Sequence, residues 1–257
     1  MRISISALKL FKACRQAYRF KYIEGLEPVQ KPDAMQSGLT YHSKIEDIYT
    51  NGYCSTEDNS KESAMALAYE KYIYPHFHVK AVEDWVEYDL GQGDTLIGRV
   101  DGRADDGHLV EHKTTSMNIT DEYEYELQWD EQILAYMLAT GDRKMWYTVI
   151  RRPTIRQKKN ESDEDFFTRM CQWYDEDTDS KIRLIEITRT DEEVQEFLTS
   201  LLNTLGEIKI AIDFPQVKCY RNCLHCNHWG RRCEYSSICL NYEPDKEYIE
   251  FQKRERS

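Results

Sequence analysis

"TLIGRVDGRADDGHLVEHKT", residues 95–114, decides the fold. Two apolar segments flank Asp105-Asp106-Gly107, and Gly107 fits the left-handed position of a three-residue hairpin loop. Folding the segments about that turn sets Ala104 against His108, Gly102 against Val110, and Asp101 against Glu111. Residues opposed in a hairpin share a face with Cβ atoms ~4.5–5.5 Å apart, so two carboxylates are expected to meet there. They repel unless a proton or a cation lies between them. Hard oxygen donors favour Mg2+ or Mn2+, which also take water and phosphate oxygens as ligands. Lys113, two residues past Glu111, returns to the same face. An ammonium there can orient or deprotonate water, or neutralise a phosphate. An ordinary salt bridge is the other reading of Glu111 and Lys113.

Around the hairpin the hydrophobic period alternates between helix and strand. Helices are expected over 4–22, with Leu8, Phe11 and Phe20 apolar, over 38–52 with Gly52 as a stop, and over 60–75 before Pro75. Strands are expected over 81–90, 95–104 and 108–114, then a helix over 124–141 carrying Leu127, Ile133, Leu134 and Met137. Strands at 144–152 and 181–189 enclose an acidic, aromatic helix, and a long helix covers 191–211. This order predicts an α/β fold, a mixed central sheet flanked by helices.

Two helical pairs extend the candidate site. His42 and Glu46 lie four residues apart on one helix face, as do Gln132 and Tyr136. In chain order, Gly38-x3-His42, Gly98-x2-Asp101, Glu111-x-Lys113 and Gln132-x3-Tyr136 resemble the motifs of the RecB-type PD-(D/E)xK nucleases. The resemblance covers residues 38–136 and implies a restriction-endonuclease-like fold and a phosphodiesterase site holding one or two metal ions. It implies His42, Asp101, Glu111 and the carbonyl of His112 as metal ligands and Lys113 as the catalytic lysine. Gln132 and Tyr136 would position that lysine or the DNA backbone; Glu46 has no assigned role.

The cysteines form a second constellation. Five of the eight cysteines fall within 219–239, which in a reducing compartment favours metal or cluster ligation over disulfides. Cys219-x3-Cys223-x2-Cys226, with Cys233, His225 and His228 nearby, could build a local zinc site. Cys226-x6-Cys233-x5-Cys239 together with Cys14 supplies the four thiolates of a [4Fe–4S] centre. The contexts "SISALKLFKAC" and "CNHWGRRCEYSSIC" are similar to the AddB-type, CRISPR-associated and phage exonuclease groups. That resemblance implies a cluster on Cys14, Cys226, Cys233 and Cys239 that joins the two chain ends, with Cys54, Cys171, Cys219 and Cys223 as free thiols. The expected organisation is one nuclease domain over 1–257, with its core at about 38–151 and a cluster region made by the first helix and 214–240.

A net charge of −12 argues against a protein that coats duplex DNA. Positive charge is concentrated at Arg151, Arg152, Arg156, Lys158 and Lys159, where Trp173 and Tyr174 could stack bases or simply be buried. The stretch Ile150-Arg151-Arg152-Pro153 is similar to one in phage-encoded nucleases. No apolar run approaches the ~20 residues of a membrane span, and charges interrupt the opening segment too early for a secretory signal, so a cytoplasmic setting is expected, the host cytoplasm for a phage protein. The expected function is a Mg2+- or Mn2+-dependent DNA exonuclease acting on ends or single strands. A helicase or recombinase partner and a homo-oligomer are left open. The alternative is a non-catalytic or redox-regulated DNA-binding or assembly module.

Overall fold

A computed structural model of the chain describes residues 1–29, 33–228, 231–240 and 251–253. The chain gathers into two compact units, one of Asp33–Tyr88 and Gly98–Val194, the other of Met1–Pro32, Asp89–Ile97 and Gln195–Ser257.

The first unit is built on the hairpin. Strand Asp94–Ala104 pairs on one side with Val79–Gly91 and on the other, antiparallel, with Leu109–Thr115. Gly107 takes φ +88°, and its N–H donates to the Ala104 carbonyl at 2.8 Å, closing the predicted turn. Leu109–Thr115 runs parallel to Lys144–Arg151, which is antiparallel to Ile182–Thr188. The sheet is therefore mixed, as the element order predicted.

Side chains alternate across this sheet. Val110 and Ile150 face a core with Tyr41, Ile45 and Ile48 of helix Asp33–Asn51 and with Met65 and Tyr69 of helix Lys61–Tyr72. Met170 and Tyr174 of helix Asp163–Glu176 close the same core. Glu111, on the opposite face, meets helix Glu131–Thr140 through Gln132.

Three expected helices need correction in this unit. Helix Asp33–Asn51 starts earlier than residue 38, and helix Lys61–Tyr72 ends before Pro75. The expected helix over 124–141 is two: Asp121–Glu126 runs through a 3-10 turn, Leu127–Trp129, into an extended Asp130 (φ −78°, ψ 101°). The Asp130 carboxylate accepts the Gln132 N–H at 3.0 Å and so caps a new helix, Glu131–Thr140, which ends at Gly141 with φ +78°. The hairpin register is the expected one, running through Arg103↔Leu109 and Gly102↔Val110 with the Ala104 N–H donating to the His108 carbonyl, and it sets Asp101 opposite Glu111, but the backbone ladder ends at Gly102↔Val110. Instead Asp101 Oδ2 accepts the His112 N–H at 2.7 Å, in the place a carbonyl would take if the ladder continued.

In the second unit, Arg2–Ser4 pairs in parallel with Thr95–Ile97, and helix Ile5–Ala13 follows, capped by the Ser4 hydroxyl. The helix expected over 4–22 breaks at Cys14, whose backbone is extended (φ −161°, ψ 110°); a short helix, Arg15–Tyr18, and a π-turn, Arg19–Ile23, follow. Leu8, Phe11 and Phe20 are buried as predicted. Helix Asp191–Asp213, most of which lies in this unit, is its longest element among the described residues. No helix among the described residues is long and apolar enough to cross a membrane.

Candidate active site

The motif residues of the first unit converge where the hairpin strands part. His42, from helix Asp33–Asn51, brings Nδ1 to 3.2 Å from Asp101 Oδ1. Burial alone would raise the Asp101 carboxyl. The hydrogen bond and charge of His42, followed by the charge and N–H of His112, hold it below the usual carboxylate range. Burial would lower the His42 imidazole, but its hydrogen bond to Asp101, with the charges of Asp101 and Glu111, raises it. Next to this pair lies a cleft of about 20 Å3 lined by His42, Glu46, Tyr49, Glu83, Asp101 and His112, room for one water or ion.

Glu111 is 3 % exposed. Its Oε1 accepts from the Lys113 ammonium and from Gln132 Nε2 at 2.9 Å. Its Oε2 is buried with no hydrogen-bond partner. Burial pushes the carboxyl up to about 7, against the pull of Lys113 and with the push of Asp101. Lys113 is also shielded, which disfavours its charge, but Glu111 outweighs that and raises the ammonium, keeping it protonated. Gln132 binds three groups at once: its carbonyl accepts from Lys113 at 3.2 Å, and its amide donates to Glu111 and to the Tyr136 hydroxyl at 2.8 Å. The Tyr136 hydroxyl in turn donates to the Arg99 carbonyl at 2.7 Å.

His42, Asp101, Glu111, His112, Lys113, Gln132 and Tyr136 thus form one connected set. Among the described residues, no three His, Cys, Asp or Glu side chains stand together as a ready metal cage. The donors are engaged with each other, His42 with Asp101 and Glu111 with Lys113. The buried, unbonded Glu111 Oε2 is the feature that a hard cation fits, because a carboxylate oxygen without a donor is costly to keep buried. Sequence reasoning missed Tyr49, Glu83 and Thr148 around this site. Glu83 takes φ +51° inside a strand and pairs with Arg99 at 3.1 Å, and no local pattern marks it.

In the second unit, Cys14 is buried with Phe20 and Tyr235, and Cys233 and Cys239 pack against them. Tyr235 stacks on Phe251, 5.6 Å between centroids, and donates to the Leu26 carbonyl at 3.0 Å. The Cys233 N–H donates to the Cys226 carbonyl at 3.0 Å, and the Asn222 N–H points to Cys14 Sγ at 3.4 Å. Burial raises the Cys226 thiol, and Cys223, Cys14 and Cys239 raise it further. Burial likewise pushes Cys233 up to about 11, with Cys14 and Cys226 adding to it. Cys14, Cys233 and Cys239 thus share one small core and Cys226 lies within electrostatic reach of Cys14 and Cys239, but among the described residues no three of these thiols form a ready metal cage. The Cys219 thiol is buried, its Sγ 4.0 Å from the Ala211 carbonyl. The His228 side chain, one of the candidate ligands of the local zinc knuckle, lies outside the described residues.

A sequence profile of the PD-(D/E)XK nuclease superfamily matches residues 2–76 and 59–240. The chain belongs to this superfamily. A solved structure from Eubacterium rectale, with a provisional exonuclease name, is 14% identical over 97% of this chain and 91% of its own, with a TM-score of 0.56. An alkaline exonuclease from Laribacter hongkongensis is also 14% identical, over 84% of this chain and 92% of its own, with a TM-score of 0.44. No curated protein sequence matches significantly. The Eubacterium rectale structure shares its fold.

Proposed function

We propose that this protein is a Mg2+- or Mn2+-dependent deoxyribonuclease that acts on DNA ends or single strands. The observation that carries the reading is Glu111, one oxygen bonded to Lys113 and Gln132 and the other buried without a partner. His42, Asp101, Glu111 and the His112 carbonyl would hold the ion. When bound, such an ion supplies positive charge for the scissile phosphate and makes water a better nucleophile. Lys113, kept protonated by Glu111, donates hydrogen bonds to the attacking water or a phosphate oxygen rather than removing a proton. Gln132 fixes both Lys113 and Glu111, and Tyr136 fixes Gln132. The net charge of −12 suits engagement of strand ends at a local site rather than along duplex faces.

Cys14, Cys226, Cys233 and Cys239 would hold a [4Fe–4S] cluster as a staple between the chain ends, as in the AddB-type and phage groups that the cysteine contexts resemble. A role in phage or bacterial DNA processing, a helicase or recombinase partner and self-association fit the same reading.

The test is digestion of end-labelled linear and of circular DNA, single- and double-stranded, with Mn2+. Wild type is expected to degrade linear substrates, Lys113→Ala and Glu111→Ala to lose at least about 100-fold, and chelator to abolish activity. Equal rates for all three proteins would sink the assignment, and efficient cutting of circles would replace the exonuclease with an endonuclease.

A further inference from the structure

The far side of the Glu111 strand carries polar groups that the proposed chemistry does not use. His112 is 2 % exposed, and its Nδ1 lies 2.5 Å from Thr148 Oγ1, on the strand residue directly paired with it. The Tyr49 ring stacks on the imidazole, centroids 5.9 Å apart and planes 28° apart, with its hydroxyl 3.4 Å from Nε2. Tyr69 meets the imidazole edge-on at 5.5 Å and hydrogen-bonds the Tyr49 hydroxyl. The neighbours in this core include Tyr41, Ile45, Ile48, Val110 and Ile150. Keeping a string of polar atoms among them demands that each find a partner, and a purely apolar filling would close the core without that demand.

We propose that Tyr69, Tyr49, His112 and Thr148 are positioning residues for the metal cradle, fixing the peptide between Glu111 and Lys113 and tying it to the helix that carries His42. The inference rests on the nuclease reading. Two geometric facts give it content. Successive strand side chains point to opposite faces, so a rotation at His112 swings Glu111 and Lys113 together. Tyr49 follows His42 by seven residues, about two helical turns, and so lies on the same helix face. The one helix therefore grips both strands of the hairpin: His42 at Asp101 on the first, and Tyr49 at His112 on the second.

The test compares wild type with Thr148→Val, which removes the hydroxyl at similar volume, and Thr148→Ser, which keeps it. Mn2+ binding is read by the electron paramagnetic resonance of the free ion, without DNA, alongside kcat and KM for end-labelled DNA. The expected result for Thr148→Val is a Mn2+ midpoint raised about 10-fold or more, a lower kcat and an unchanged KM, with the wild-type midpoint restored by Thr148→Ser. An unchanged midpoint in folded Thr148→Val overturns the proposal, as does a serine variant as impaired as the valine. Should the valine variant not fold, Tyr49→Phe decides by the same midpoint: a rise supports the network and no change overturns it. Wild type that binds Mn2+ yet cuts no DNA sinks the nuclease reading and leaves the midpoint comparison standing. Wild type that binds no Mn2+ overturns both.

Discussion

Tyr136 packs over Gly98 so closely that a Cβ on residue 98 would lie 2.6 Å from Tyr136 Cε1, with Val86 Cγ2 at 3.3 Å on the other approach. The glycine of one motif thus seats the tyrosine of another, and the seated hydroxyl reaches both Arg99 and Gln132. Gly98→Ala is expected to displace the ring, cost about 1–3 kcal/mol of stability and lower kcat by up to about 100-fold through Gln132 and Lys113. Thermal melts and single-turnover cleavage check this. Adding Tyr136→Ala to the same chain is expected to recover stability but not activity.

Glu111 gives a prediction in pH. Its carboxyl sits at about 7 in the folded protein against an ordinary 4.5. Between those values the unfolded chain releases the proton while the folded chain keeps it. Wild type without metal therefore loses stability as pH rises from about 4.5 to about 7, and the loss stays complete above that. Glu111→Gln has no charge to bury. Its melting temperature is expected to match wild type near pH 4 and to exceed it by a few degrees at pH 8, in chelator. A gap that does not widen with pH would remove Glu111 as the buried acid.

The same carboxyl and the raised His42 imidazole must lose their protons before they can act as ligands. Mn2+ binding is therefore expected to tighten steadily from pH 6 to pH 8 and to release protons, measurable by calorimetry in buffers of different ionisation enthalpy. Glu111→Gln should flatten much of that pH dependence.

The cysteines predict a spectroscopic and a stability change together. Anaerobically purified wild type is expected to carry iron and a broad visible absorption. Cys14→Ser or Cys239→Ser should lose both, melt several degrees lower, and become open to proteases near both chain ends. Cys54→Ser and Cys171→Ser should keep the chromophore. Zinc in place of iron in metal analysis would return the local knuckle to consideration.

The hairpin was legible because its information is local: Asp105-Asp106-Gly107 allows little but a tight turn, and the alternation around it sets which side chains share a face. The register that sets Asp101 opposite Glu111 was legible with it; the point at which the backbone ladder stops, one pair earlier, was not. A side chain that replaces a ladder carbonyl, as Asp101 does for the His112 N–H, leaves no periodic trace. The break at Asp130 was hidden for the opposite reason. Leu127, Ile133, Leu134 and Met137 keep a helical spacing straight across it, and only the capping residue itself marks the restart. At Cys14 the break lies in a stretch without glycine or proline. Thr148 and Tyr49 reach His112 from another strand and another helix, so neither could be paired with it by spacing.

Because Asp130 begins the Glu131–Thr140 helix afresh, the rotation of Gln132 and Tyr136 about the helix axis is independent of how many residues precede that cap. Insertions or deletions in 116–129 would leave both side chains aimed as they are. The exposed positions of that stretch can accordingly change without retuning Gln132 and Tyr136, so long as Ile119 and Leu127 keep their buried places.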